Sequence, residues 1–264
     1  MKTRSLREMT RTRDVKLGHF IVEFATPGIG HLIRSAGCEF VFLDMEHSGF
    51  SFETVKSTIR YLEAAEIRTM VRVPSQEYHH IARACDMGAE GLIAPMVSTP
   101  GQAKKILDSM RYYPMGARGV ALGIAHDNYR TGAVKDKFKA ANERNTFFCL
   151  IETAEGVENA DAIARIDGVD CLWIGHFDLS VSLGIPGEFD NPKFLKAIDT
   201  LRAAAKKRNK SMGRMTGSVQ QGIELFNQGF DFMCYSGDIW VFQQALTEAI
   251  TKLREGCVLK RGKK

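Results

Sequence analysis

Eight short apolar runs recur along the chain, each followed by a stretch with helical spacing, and this alternation restricts the fold more than any other feature. The runs are HFIVEFA (19–25), FVFLDME (40–46), TMVRV (69–73), GLIAPMV (91–97), FFCLIET (147–153), DCLWIGHFD (170–178), MGRMTG (212–217) and FMCYSG (232–237). Helical patterns follow at about 27–36, 51–66, 77–87, 100–111, 155–167 and 191–208, and again after the last two runs. Ser51, with Glu53 close behind, reads as the N-cap of the second helix. Most runs are apolar without alternation, as strands buried on both faces are. Gly37, Gly88, Gly168 and Gly229 fall just before strands 2, 4, 6 and 8, where a helix ends in a left-handed residue. Eight such units predict an α/β fold closed into a (β/α)₈ TIM barrel. A doubly wound sheet is the rival, but no G-x-G-x-x-G follows the first strand.

The 264 residues suit one barrel domain over 1–264, with basic extensions at 1–16 and 256–264. The net charge of +5 collects in the N-terminal arginines, in Lys206-Lys207-Arg208 and in the tail. It reads as solvated surface rather than a nucleic-acid groove. The N-terminus lacks the apolar core of a secretory signal, and no stretch approaches the roughly 18 apolar residues of a membrane span. A cytoplasmic protein with neither membrane nor nucleic-acid partner is expected. The six cysteines are scattered, without a C-x-x-C pair, and read as buried reduced thiols. The long connection 111–145 is either a lid or site wall, or else decoration or an oligomer contact.

Active sites of such barrels sit at the C-terminal ends of the strands. Here those ends carry Asp44-Met45-Glu46-His47, Arg72, Glu152 and Gly175-His176-Phe177-Asp178. A lone acid there is as easily a helix cap; acid, imidazole and guanidinium together point to a shared site. Glu152 and Asp178, read on neighbouring strands, can converge on one cation. Two hard oxygen ligands without thiolates or a His-x-x-x-His pattern suit Mg²⁺ or Mn²⁺ better than zinc. A 2-oxo acid would chelate it, Arg72 would face the oxygen that gains charge in an enolate, and His47 would be the general base. The plainer reading of Arg72 is a rim salt bridge with Glu46 or Asp44. No strand run contains lysine, which disfavours a Schiff-base aldolase. Thr216-Gly217-Ser218 and Ser236-Gly237-Asp238 leave a phosphate-binding barrel as a third possibility, although Asp238 would repel the anion.

The stretches FVFLDMEH (40–47), VRVP (71–74), ACDMGAEGLIAPMV (84–97), RYYPMGARGV (111–120), LIET (150–153) and GVDCLWIGHFDLS (168–180) strongly resemble the HpcH/HpaI aldolases, metal-dependent enzymes that cleave 4-hydroxy-2-oxo acids to pyruvate and an aldehyde. The resemblance runs from about 17 to 250. It implies the phosphoenolpyruvate/pyruvate type of barrel, with His47 as base, Asp44 and Asp86 supporting it by hydrogen bonds, Arg72 steadying the enolate, and Glu152 and Asp178 holding Mg²⁺, Mn²⁺ or Co²⁺. It also implies a homo-oligomer, a hexamer built from dimers, with exchanged C-terminal helices and sites near subunit contacts. A related reaction of the same enolate is decarboxylation of oxaloacetate, as in macrophomate synthase-like relatives. The sequence departs from the family at the substrate pocket. Leu150 stands where a substrate-contacting Gln is usual, and His176-Phe177 replace Pro-Ala before Asp178. His176 is then either catalytic or a support bonded to the backbone.

Overall fold

The computed structural model describes residues 4–257. Its eight strands, β1 (Lys16–Ile21), β2 (Phe40–Asp44), β3 (Arg68–Arg72), β4 (Gly91–Ala94), β5 (Thr146–Ile151), β6 (Val169–Ile174), β7 (Ser211–Thr216) and β8 (Phe232–Gly237), close into a parallel barrel in chain order. The helices are α1 (Leu6–Met9), α2 (Ile29–Ser35), α3 (Phe52–Ala64), α4 (Tyr78–Asp86), α5 (Pro100–Met110), α6 (Val134–Arg144), α7 (Ala154–Glu158), α8 (Ala160–Ala164), α9 (His176–Ser182), α10 (Pro192–Arg208), α11 (Val219–Asn227) and α12 (Asp238–Gly256). Ser51 caps α3 as expected, accepting the Thr54 N–H at 3.1 Å. The four glycines expected to end helices all have positive φ, from 91° to 105°. Among the described residues no helix is long and apolar enough to cross a membrane. All six cysteines are free; Cys85, Cys149, Cys171 and Cys234 are buried, whereas Cys38 is half-buried and Cys257 exposed.

Alternate strand residues point inward, and the barrel interior is strongly aromatic. Phe20, Phe42, Phe148, Trp173 and Phe232 pack there edge to face, with centroids 4.9 to 6.3 Å apart along the series. Gly213 makes room for Trp173: a Cβ at 213 would strike the indole ring. The outward residues form a second cluster under the helices.

Several boundaries differ from the sequence reading. The first strand starts at Lys16, not 19, and ends before Glu23 and Phe24. A strand lysine therefore exists after all. Lys16 is fully buried, but it lies at the N-terminal end of β1, opposite the rim, beside Asp231 at 3.4 Å and Thr12 O at 2.7 Å. It offers no Schiff-base nucleophile to the rim. The basic segment before it is not simply solvated: Leu6 and Met9 plug the floor of the barrel, and the Leu6 N–H donates to buried Glu90 at 2.5 Å. The C-terminal extension from 258 onward lies outside the described residues. The helix expected at 155–167 is two short ones broken at Asn159.

The connection 111–145 does not cover the rim. It runs along the outside of α4 and ends in α6, which touches α1 at the floor. Arg118 pairs with Asp86, Arg60 reaches Asn128, and Arg144 donates to the Gly88 carbonyl. The lid reading is thus not met within one chain. The amides that a phosphate would need are also taken. Asp238 accepts the N–H groups of Val22, Glu23, Phe24 and Ile239, and Gln221 accepts that of Gly217.

Candidate active site

The inward face of each strand climbs from aromatic interior to polar rim. Phe42 is followed by Asp44, Met70 by Arg72, and Leu150 by Glu152, each pair two residues apart on one side of its strand. The rim residues consequently converge over the barrel mouth.

Asp44 organises one half of the site. Its carboxylate is fully buried and accepts both Arg72 Nε (2.7 Å) and Arg72 Nη2 (2.9 Å), a bidentate fork. It also accepts the backbone N–H groups of Glu46 (3.0 Å) and His47 (3.1 Å), fixing the turn that follows β2. Asp44 thus supports His47 through its main chain and not through its ring. Burial opposes the charge on Arg72, but its hydrogen bonds to Asp44 and the charges of Asp44 and Glu46 raise its pKa. The guanidinium lies over the Phe20 and Phe42 rings, and its Nη1 is 3.2 Å from Glu46 Oε2. His47 is exposed, with Nε2 3.9 Å from Glu46 Oε2. Glu46 therefore links base and arginine, a position that sequence reading treated only as a salt-bridge partner.

Glu152 anchors the other half. It is the first residue past β5, 3% exposed, and its Oε1 accepts the Met96 N–H at 2.5 Å. Met96 holds a left-handed φ of 58°, which turns its amide toward the carboxylate after Pro95 has ended the strand. Glu152 Oε2 packs against Gly175, where any Cβ would collide with it. Burial pushes the Glu152 pKa up to about 7, and the charges of Glu46 and Asp178 add to that. Asp178 is exposed and sits in the first turn of α9, not on a strand as expected, because β6 ends at Ile174. A buried acid held up by two neighbouring acids is an environment that a cation relieves. No group of three or more His, Cys, Asp or Glu side chains forms a cation cage among the described residues. A hard cation that keeps several waters or substrate oxygens needs only one or two protein carboxylates, so Glu152 and Asp178 fit it.

The remaining sequence candidates separate. Leu150 is buried in the aromatic interior beneath Glu152. Phe177 is exposed, and its ring lies 4.6 Å from that of His176. Burial and the charge of Arg214 lower the His176 pKa to about 3, so this imidazole is neutral. No backbone hydrogen bond to its ring is present among the described residues. Asp86 is not at the rim: it ends α4, at the far end of that helix, and pairs with Arg118. Support of His47 by Asp86 is not met within one chain.

The profile of the HpcH/HpaI aldolase/citrate lyase family matches residues 22–238. A 5-keto-4-deoxy-D-glucarate aldolase from Klebsiella pneumoniae is 32% identical over 84% of this chain and 86% of its own length. A hydroxypyruvate/pyruvate aldolase from Chromohalobacter salexigens is 30% identical over 88% and 91%. The crystal structure of an HpcH/HpaI aldolase from Desulfitobacterium hafniense superposes with a TM-score of 0.89 at 23% identity, covering 95% of this chain and 97% of that one. Divalent-metal dependence is characteristic of the family. With the barrel, the rim and these likenesses in agreement, the chain belongs to the HpcH/HpaI aldolase/citrate lyase family and is a carbon–carbon lyase.

Proposed function

We propose that the enzyme cleaves a 4-hydroxy-2-oxo acid to pyruvate and an aldehyde, with the reaction centred between the Asp44–Arg72 fork and Glu152. The observation that carries this reading is the juxtaposition of a fixed guanidinium with a buried carboxyl pushed up to about 7. Glu152 and Asp178 would hold Mg²⁺ or Mn²⁺, with Co²⁺ as a further candidate. The cation supplies Lewis-acid stabilisation of the charge that develops on the 2-oxo group.

The protein's own groups do the rest. His47 takes the proton of the 4-hydroxyl, and collapse of that alkoxide breaks the C3–C4 bond. Arg72, held flat by Asp44, presents its remaining N–H groups to the enolate oxygen without having to reorganise. Glu46 Oε2 lies 3.9 Å from His47 Nε2, so the base and Arg72 share one carboxylate neighbour. The enolate is then reprotonated at C3, releasing pyruvate. The exposed Phe177 gives this pocket a more apolar lining than an Ala would, with Leu150 buried beneath Glu152.

Pyruvate release from a panel of 4-hydroxy-2-oxo acids and oxaloacetate, before and after EDTA and with Mg²⁺ or Mn²⁺ restored, tests the reading. Release from hydroxy-oxo acids that vanishes with EDTA and returns with metal is the expected result. Release from oxaloacetate alone would replace aldol cleavage by decarboxylation at the same site.

The working enzyme is a homo-oligomer on this reading, with α12 packed on a neighbouring chain. Only Asp238 of α12 is buried, while Trp240, Phe242, Leu246, Ile250 and Leu253 are exposed. In a (β/α)₈ barrel the last helix covers the seam between β8 and β1; here that seam is an apolar groove of about 710 Å³ lined by Leu17, Leu32, Val219, Ile223 and Phe226. A helix from a second copy would fill it and cover both apolar faces. The double substitution Leu246→Glu with Ile250→Glu is expected to shift the protein to smaller species in sedimentation velocity. An unchanged sedimentation coefficient would count against the exchange.

A further inference from the structure

The aldolase chemistry leaves Arg214 without a task. It lies in β7 between Gly213, which faces Trp173 inside the barrel, and Met215, which packs against the inner cluster. Arg214 therefore points outward, level with Ile174 of β6, into the layer between the sheet and α10. The neighbouring outward positions, Met212 and Ile174, are ordinary apolar core. A guanidinium at this position is not something the packing requires.

Arg214 is 6% exposed and has no hydrogen bond or ion pair among the described residues. Its Nε is sealed from solvent without a partner, whereas the two terminal nitrogens are not sealed. Around it stand Phe189 and Phe194, with ring centroids 5.8 and 5.6 Å from the guanidinium carbon. His176 completes the group, tilted against the Phe177 and Phe189 rings, and its ring too has no hydrogen-bond partner among the described residues. Two phenyl rings at nearly 6 Å recover only part of what desolvating a guanidinium costs. What such a fork lacks is a planar or tetrahedral oxyanion, which it can hold bidentately.

We propose that Arg214 and His176, walled by Phe177, Phe189 and Phe194, form a binding subsite for a small oxyanion, a carboxylate or phosphate. Arg214 donates to the anion through its terminal nitrogens, and the His176 ring offers an N–H beside them. His176 opens α9 just past the end of β6, which puts the subsite on the β6–β7 side of the barrel, at the rim end of these strands. Its source is either a carboxylate carried by the 2-oxo acid substrate or a separate anion; the substrate arm of the test rests on the aldolase reading, and the binding arm does not.

The experiment is calorimetric titration of the full-length, metal-free protein with inorganic phosphate and with acetate, for the wild type and for Arg214→Met and Arg214→Lys. Saturable binding at millimolar concentrations is expected in the wild type. Arg214→Met should weaken it by at least roughly tenfold, as truncating one member of a desolvated charge pair does, with Arg214→Lys between the two. Lys210→Met, in a separate basic cavity near the floor, should bind like the wild type. Phosphate that competes with the 2-oxo acid in the pyruvate-release assay assigns the subsite to the substrate; saturable binding without competition assigns it to a separate anion. Absence of saturable binding to the wild type, or equal binding by folded Arg214→Met, overturns the proposal. If Arg214→Met does not fold, the wild type and Arg214→Lys still decide it. Anion binding with no pyruvate release would sink the aldolase reading alone.

Discussion

Arg72→Ala is expected to lower kcat for pyruvate release by about a thousandfold, the upper end of what removal of one preorganised oxyanion donor costs. The reasoning starts from how the guanidinium is held. Two of its nitrogens are committed to Asp44, and the ring faces of Phe20 and Phe42 lie beneath it, so it does not move when charge develops on the substrate. A second effect accompanies the first. Asp44 is fully buried, and losing Arg72 leaves its charge with only the Glu46 and His47 amides. Breaking a buried pair in this way costs about 3–5 kcal/mol of folding stability, and the two amides place this case toward the lower figure. Arg72→Lys separates the two effects. An ammonium restores charge beside Asp44 and so recovers most of the stability, but it cannot form the fork and still face the substrate. Urea unfolding should therefore recover in the lysine variant while kcat stays low, and KM should change less than kcat in both. Wild-type kcat in either variant would remove Arg72 from the mechanism.

The residues of this half of the site were legible because strand periodicity and the barrel rule together determine where they go. FVFLD and TMVR each place an apolar residue two positions before the polar one, and parallel strands carry both polar ends to the same rim. Glu152 was legible for the same reason. Asp178 was found at the right rim but on the wrong element, because the apolar run DCLWIGHF continues past Gly175, where the chain in fact turns into α9. Met96 was missed because its contribution is a backbone amide in a left-handed conformation, which a side-chain inventory does not register. Lys16 and the plug residues Leu6 and Met9 were missed because a segment of mixed basic and apolar character reads as solvated, whereas its few apolar side chains close the barrel floor. Asp86 was assigned by resemblance alone, and within one chain it belongs to a pair with Arg118 on the outer surface. Arg214 stood in plain view inside MGRMTG, but nothing in the pattern distinguishes an outward buried arginine from one at an exposed edge.

Glu152→Gln is expected to reduce metal-dependent pyruvate release by at least roughly a thousandfold, and its effect on pH dependence identifies the cause. In the folded metal-free protein burial raises this carboxyl from 4.5 to about 7, with Glu46 and Asp178 reinforcing the shift. A raised carboxyl pKa stabilises the fold while the group is protonated. That contribution is complete below its ordinary pKa and is lost as pH rises through about 7, at most about 3 kcal/mol over that interval. A divalent cation requires the ionised form, so its binding competes with the proton. Its affinity should fall by up to tenfold for each pH unit below about 7 and level off above it. Two thermal scans follow from this. The metal-free wild type should lose melting temperature between pH 5 and 7.5, and added Mg²⁺ or Mn²⁺ should restore more of it at the higher pH. Glutamine keeps the volume and a hydrogen-bond acceptor for the Met96 amide but has no charge to lose. In that variant the decline in melting temperature should disappear together with the metal-induced gain. If the gain persists at full size, Glu152 does not bind the cation; if the decline alone persists, the proton is on another acid, and Glu46, which burial also raises, is the group to replace next.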